Sequence, residues 1–129
     1  MRNLDLKREY NRQYNAINKL KISVQKREYY SKNQEKILSR SSVRNTKRKI
    51  KVIQHYGGVC SCCGEYRIEF LCLDHKYGGG NKHREDIGSG TPMYKWVINN
   101  NFPPLFRVLC HNCNMALGSY GYCPHTEEK

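Results

Sequence analysis

Two Cys-x2-Cys pairs, Cys60/Cys63 and Cys110/Cys113, constrain this chain more than any other feature. Four thiols in two pairs about fifty residues apart can be placed tetrahedrally around one zinc ion, which locks two distant segments together. Such a staple is needed, because 38% hydrophobic residues in a chain of 129 and a mean hydropathy of -0.84 leave little apolar surface for a self-sufficient core. The seven cysteines could instead form disulfides, but these belong to oxidising compartments. Residues 1–30 carry charges throughout and no apolar core run, so no secretory signal is expected, and no stretch is apolar enough to span a membrane. A cytoplasmic setting and metal ligation follow as expectations. Zinc held by four thiolates has no open position, so the expected role is structural. Cys62 competes with Cys63, but the Cys-x2-Cys-Gly phase ending at Gly64 favours Cys60 with Cys63. Cys72 reads as a buried strand residue. Cys123 and His125 are one Cys and one His, too few to propose a second site.

Charge divides the chain unevenly. The net charge is +12; residues 1–52 hold 16 Lys/Arg against 4 Asp/Glu, and residues 53–129 hold seven against seven. An excess confined to one end suggests a polyanion partner, nucleic acid before an acidic membrane surface. No Gly or Pro occurs before Gly57, which favours helix. Leu6, Tyr10, Tyr14, Ile17, Leu20 and Val24 recur at helical steps and form one narrow apolar stripe, which could pair two arms in a homodimer. Lys7-Arg8-Glu9-Tyr10 recurs as Lys26-Arg27-Glu28-Tyr29, a short repeat without a solenoid behind it. Ser39 to Ser42 is expected to break the helix, with Ser42 capping a second one over about Val43 to His55. The arm reads either as a solvated, partly disordered tail or as a helix lying along phosphates with strong salt dependence.

Beyond Gly57-Gly58 the pattern predicts a tight knuckle over Val59 to Gly64 and a strand over Ile68 to Leu73. A glycine-punctuated loop is expected over Lys76 to Gly90, then a short helix over Pro92 to Asn101. A second strand follows over Leu105 to Leu109, then a helix from Cys110 to Leu117 closed by Gly118. The tail from Tyr120 to Lys129 is expected to be irregular.

Asp74-His75 ends the first strand beside the glycine-rich loop, and Asn114 directly follows the last Cys of the second pair. Asp and Asn oxygens suit a hard divalent cation such as magnesium, and a neutral His suits a general base. A zinc ion joining the two cysteine pairs would bring these segments together.

Taken together, Cys60-x2-Cys63, Asp74-His75 and Cys110-x2-Cys113-Asn114 resemble the HNH endonuclease superfamily with its ββα-metal core. Asn directly after the last Cys is similar to the recombination endonuclease VII group. Tyr77-Gly78-Gly79-Gly80-Asn81-Lys82-His83-Arg84 and Tyr120-Gly121-Tyr122-Cys123-Pro124-His125 resemble segments of small phage-encoded HNH proteins. The resemblance covers about Gly57 to His125. It implies an α+β fold: a small treble-clef ββα-metal core (residues 43–129) stabilised by one structural zinc and preceded by a basic, mainly helical nucleic-acid-binding arm (residues 1–42). It also implies that Asp74 and Asn114 hold a catalytic Mg2+ or Mn2+ and that His75 activates water; His83 and Arg84 read either as contacts to the scissile phosphate or as part of a solvated basic loop. The activity implied is metal-dependent hydrolysis of DNA phosphodiester bonds, leaving 5′-phosphate and 3′-hydroxyl ends, in a phage-encoded protein acting in the host cytoplasm. The chain departs from the family where many members carry an Asn five residues before the third Cys; here Leu105 stands there, and either that role is absent or Asn81 supplies it from the loop. A non-catalytic zinc DNA-binding module would use the same cysteines and arm, but would leave Asp74, His75 and Asn114 without a role.

Overall fold

The computed structural model describes residues 2–126, with side chains from residue 4. The fold is α+β and mostly helical, with one two-stranded antiparallel sheet. It divides into two compact units, Met1–Ser42 and Val43–Lys129.

Helix α1 (Arg2–Ile17) and helix α2 (Lys19–His55) meet at Asn18. The Ser39–Ser42 break expected from sequence is absent, and α2 runs through those residues. Serine is only mildly unfavourable within a helix, and no Gly or Pro is there to interrupt the backbone ladder. The discontinuity falls instead at Asn18, whose side chain and backbone N–H both donate to the Tyr14 carbonyl, at 2.9 and 3.0 Å. The backbone bond is the ordinary helical one, and only the side-chain amide competes for that carbonyl. The apolar stripe of the arm is exposed, most fully at Ile17 (84%) and Leu20 (83%). Helix α2 ends where Gly57 takes a φ of 112°, and the Gly58 N–H returns to the Ile53 carbonyl at 2.9 Å.

Within Val43–Lys129 the core is small, and four of its buried side chains are cysteines. Strands β1 (Leu71–His75) and β2 (Phe106–Cys110) pair antiparallel, with Leu71 opposite Cys110 and His75 opposite Phe106. Two adjacent residues of α2 serve two clusters. Ile53 packs with Cys60, Leu71, Val108, Leu109, Cys110, Cys113 and Cys123, while Val52 packs with Met93, Val97 and Phe106. The first strand starts later than expected, because Ile68–Phe70 forms a 3-10 turn.

The stretch from Lys76 to Gly90 is not a continuous loop. It contains helix α3 (Gly80–Ile87), entered through Gly78 and Gly79, both at φ 76°, and left through Gly88 at φ 88°. The glycines mark the turns at its two ends rather than an unstructured run. Helix α4 (Thr91–Asn99) follows, with Pro92 in its first turn where a missing N–H costs nothing. Helix α5 (His111–Tyr120) begins directly after β2. It passes through Gly118, the expected stop, and ends at Gly121, which has φ 78° and donates to the Leu117 carbonyl. Within the tail expected to be irregular, Pro124–Thr126 forms a 3-10 turn, and residues 127–129 lie outside the described residues. No helix of the described residues is long and apolar enough to cross a membrane.

Candidate functional site

The two Cys-x2-Cys pairs converge. Cys60, Cys63, Cys110 and Cys113 place their sulfurs within 4.8 Å of one another, so this group could hold a metal ion such as zinc. The knuckle that carries the first pair is built by backbone bonds from Cys60 N to Glu65 O (2.7 Å) and from Gly64 N to Cys60 O (2.9 Å). Gly64 adopts φ 80°, which a side chain would resist. Ser61 N donates to Val108 O at 2.9 Å, tying the knuckle to β2. Cys110 is the last residue of β2 and also caps α5, its sulfur accepting from Cys113 N at 3.4 Å. Cys63 and Cys110 sulfurs are 3.7 Å apart. Burial alone would raise the Cys60 thiol, but N–H groups of Cys63, Cys110 and Cys62 outweigh it and bring its pKa down to about 6. Donors aimed at sulfur favour the thiolate, the form that binds metal.

A second group lies against the first. Cys62, Cys113, Cys123 and His125 also bring their donor atoms within 4.8 Å of one another, and Cys113 belongs to both groups. Spacing does not reveal this group: in the sequence Cys62 reads as a rival of Cys63, and Cys123 with His125 as an incomplete pair. Successive knuckle residues point to different groups, and the chain reversal at Gly121 returns Cys123 and His125 to the knuckle. Cys72 stays outside both groups. It donates to Leu109 O at 3.4 Å, and burial pushes its thiol up to about 11, as suits an inert strand cysteine.

The remaining expected site residues surround the end of the sheet. His75, the last residue of β1, places Nε2 2.9 Å from Nδ1 of His83 on α3. Its ring lies edge-on to Phe106 at 4.7 Å, and the His83 ring lies edge-on to Trp96 at 4.3 Å. Burial, then the neighbouring His83 and Arg84, hold His75 below the ordinary histidine range, while Asp74 acts in the opposite direction. A cavity of about 290 Å3 is lined by His75, Arg84, Tyr94, His111 and Asn114 among others. Asn114 lies in the first turn and a half of α5, immediately after Cys113. Gly80 is pressed against His75: a Cβ there would lie 2.9 Å from His75 Nδ1 and 3.2 Å from Arg84 Nη1.

Asp74 is engaged elsewhere. Its Oδ2 accepts from Arg107 Nε at 2.7 Å across the strand pair, which leaves Oδ1 outside that pair. Asp74 is not among the residues lining the cavity. Asn81, the candidate substitute for the Asn missing at Leu105, accepts from Arg84 Nη2 at 2.5 Å and is exposed. Of the two loop residues expected at the substrate, Arg84 lines the cavity and His83 instead supports His75.

Comparison of the chain with protein-family models, curated proteins and solved structures finds no match. A half-buried imidazole held on one ring nitrogen can accept a proton on the other. An amide oxygen and a guanidinium share its cavity, and the adjacent carboxylate is fixed by an arginine.

Proposed function

We propose that Val43–Lys129 is a metal-dependent endonuclease domain of the zinc-stapled HNH kind, a treble-clef ββα-metal core that hydrolyses DNA phosphodiester bonds. The observation that carries this reading is that His75 at the end of β1 and Asn114 on α5 line one cavity with Arg84, next to a four-cysteine group that could hold zinc. In this reading β1, β2 and α5 are the ββα unit, and a zinc ion held by Cys60, Cys63, Cys110 and Cys113 would tie β2 and α5 to the knuckle.

His75 is the general base. With its Nε2–H donated to His83 Nδ1, the Nδ1 lone pair is left to take a proton from the attacking water. His83 is thus a positioning residue rather than the phosphate contact expected from sequence. Arg84 takes that contact, as a cation at the mouth of the cavity. Asp74, through the oxygen not used by Arg107, and Asn114 would hold a magnesium or manganese ion, and their hard oxygen donors fit such a cation. When bound, that ion supplies electrophilic stabilisation of the phosphoryl and leaving oxygens. Arg107 fixes the Asp74 carboxylate in one rotamer.

The Met1–Ser42 unit, with 11 Lys/Arg against 4 Asp/Glu, is the DNA-backbone contact in this proposal. A nicking assay on supercoiled plasmid with magnesium or manganese tests the reading. Wild-type protein is expected to cleave, and His75→Ala to lose at least about 100-fold in rate while binding DNA equally well. No cleavage by wild type with either metal, together with intact DNA binding, would favour the non-catalytic zinc module instead.

A further inference from the structure

Four of the seven cysteines are enough for one structural ion, yet six are gathered around the knuckle together with His125. We propose that Cys62, Cys113, Cys123 and His125 hold a second zinc ion, with the Cys113 sulfur bridging it to the ion of the four-cysteine group.

The distances fit coordination better than hydrogen bonding. Tetrahedral zinc with bonds of about 2.3 Å to sulfur and about 2.0–2.1 Å to nitrogen separates two sulfurs by about 3.8 Å and a sulfur from a nitrogen by about 3.5 Å. His125 Nδ1 lies 3.4 Å from the Cys113 sulfur and 3.4 Å from the Cys123 sulfur. In the first group the Cys63 and Cys110 sulfurs are 3.7 Å apart. A single imidazole nitrogen carries either one lone pair or one N–H. It cannot make two well-aligned bonds to two sulfurs at once, whereas a cation between all three atoms satisfies them together.

The chain is shaped to deliver these donors. Cys113 and Cys123 are almost fully buried, with Cys62 half-buried and His125 closing the outer side. The 3-10 turn over Pro124–Thr126 folds His125 over Cys123, and Thr126 N and Oγ1 both donate to the Cys123 carbonyl, at 2.9 and 2.6 Å. Soft sulfur donors with one imidazole select zinc over magnesium or calcium. Seven donors with one shared sulfur fill four positions on each ion, so neither ion is left an open site for chemistry. The second ion would pin the segment after α5 back to the knuckle.

The second site does not depend on nuclease activity; only the bridge rests on zinc occupying the four-cysteine group. The test is native mass spectrometry of the full chain produced with zinc, followed by cadmium-113 NMR of the exchanged protein. The expected result is two zinc ions per chain, with Cys123→Ser and His125→Ala each holding one, and His125→Cys restoring two. Two cadmium resonances coupled to each other through the shared sulfur are expected; two uncoupled resonances would overturn the bridge. A wild-type count of one overturns the proposal, as does a mass deficit of two hydrogens from a Cys62–Cys123 disulfide. If the count is one, Cys63→Ser and Cys123→Ser reveal which group holds the ion. Failure of the second site is thereby told apart from failure of the first.

Discussion

His75 Nε2 and His83 Nδ1 lie 2.9 Å apart, so the two imidazoles share one proton-bearing contact and cannot both be cationic without repulsion. Burial, His83 and Arg84 together hold His75 below its ordinary value of 6.5. NMR titration of the ring resonances without added divalent cation should show His75 titrating below 6.5, and Arg84→Gln should move it upward. The sign for stability follows. Between the lowered folded value and 6.5 the unfolded chain binds more protons, so this contribution is complete above 6.5 and is lost as pH falls through the window. A His75 that titrates at or above 6.5 would remove the electrostatic support for its proposed role as general base.

Replacing Gly80 separates geometry from stability. Alanine in a helix interior is favoured over glycine by about 1 kcal/mol, and the preference is smaller at the first helical position, where Gly80 stands. At Gly80 the added Cβ would meet His75 Nδ1 at 2.9 Å, and His75 is already tethered to His83. Gly80→Ala is therefore expected to leave the melting temperature within a few degrees of wild type while cutting plasmid cleavage at least about tenfold, because a small displacement of a positioned base is costly. Unchanged cleavage would mean that the proton acceptor is not His75 in this orientation.

Cys110 has the opposite profile. Its sulfur belongs to the four-cysteine group, caps α5 through Cys113 N, and is buried where β2 meets the helix. Domains of this size have roughly 5–15 kcal/mol of net stability, and a structural zinc can supply that much alone. Cys110→Ser should abolish the cooperative thermal transition and lower bound zinc, read by calorimetry and metal analysis. A folded variant with full metal content would contradict the structural role.

The features that can be read from sequence are those set by short spacing. Cys-x2-Cys pairs, the Asp74-His75 dipeptide and Asn114 beside Cys113 need no tertiary information to be noticed. Helix α3 escaped because it is short, polar and flanked by glycines, which resemble a loop until their positive φ values show them to be turns. His83 could not be paired with His75 from sequence, since eight residues and a helix reversal separate them. The Asp74–Arg107 contact follows from strand register, which spans 33 positions and is set only when β1 and β2 pair. That Cys62 completes a group with Cys123 and His125 is hidden in the sequence for the same reason: their meeting depends on the reversal at Gly121.

The arm offers a prediction about salt rather than rate. Its apolar stripe is exposed and its charge is strongly positive, a composition that contributes little to a core and much to phosphate binding. All the buried residues of both core clusters lie in Val43–Lys129, so removing residues 1–42 takes no side chain from them. The truncated protein is expected to keep its thermal transition and its metal. Its affinity for duplex DNA should fall, and the slope of log K against log salt should flatten by about 0.9 for each phosphate that the arm had neutralised. Retained basic residues on the end of α2, from Arg44 to Lys51, should leave a smaller residual slope. Binding isotherms at several salt concentrations decide the matter: an identical slope in the two proteins would place the phosphate-binding groups in the domain and leave the arm with another role.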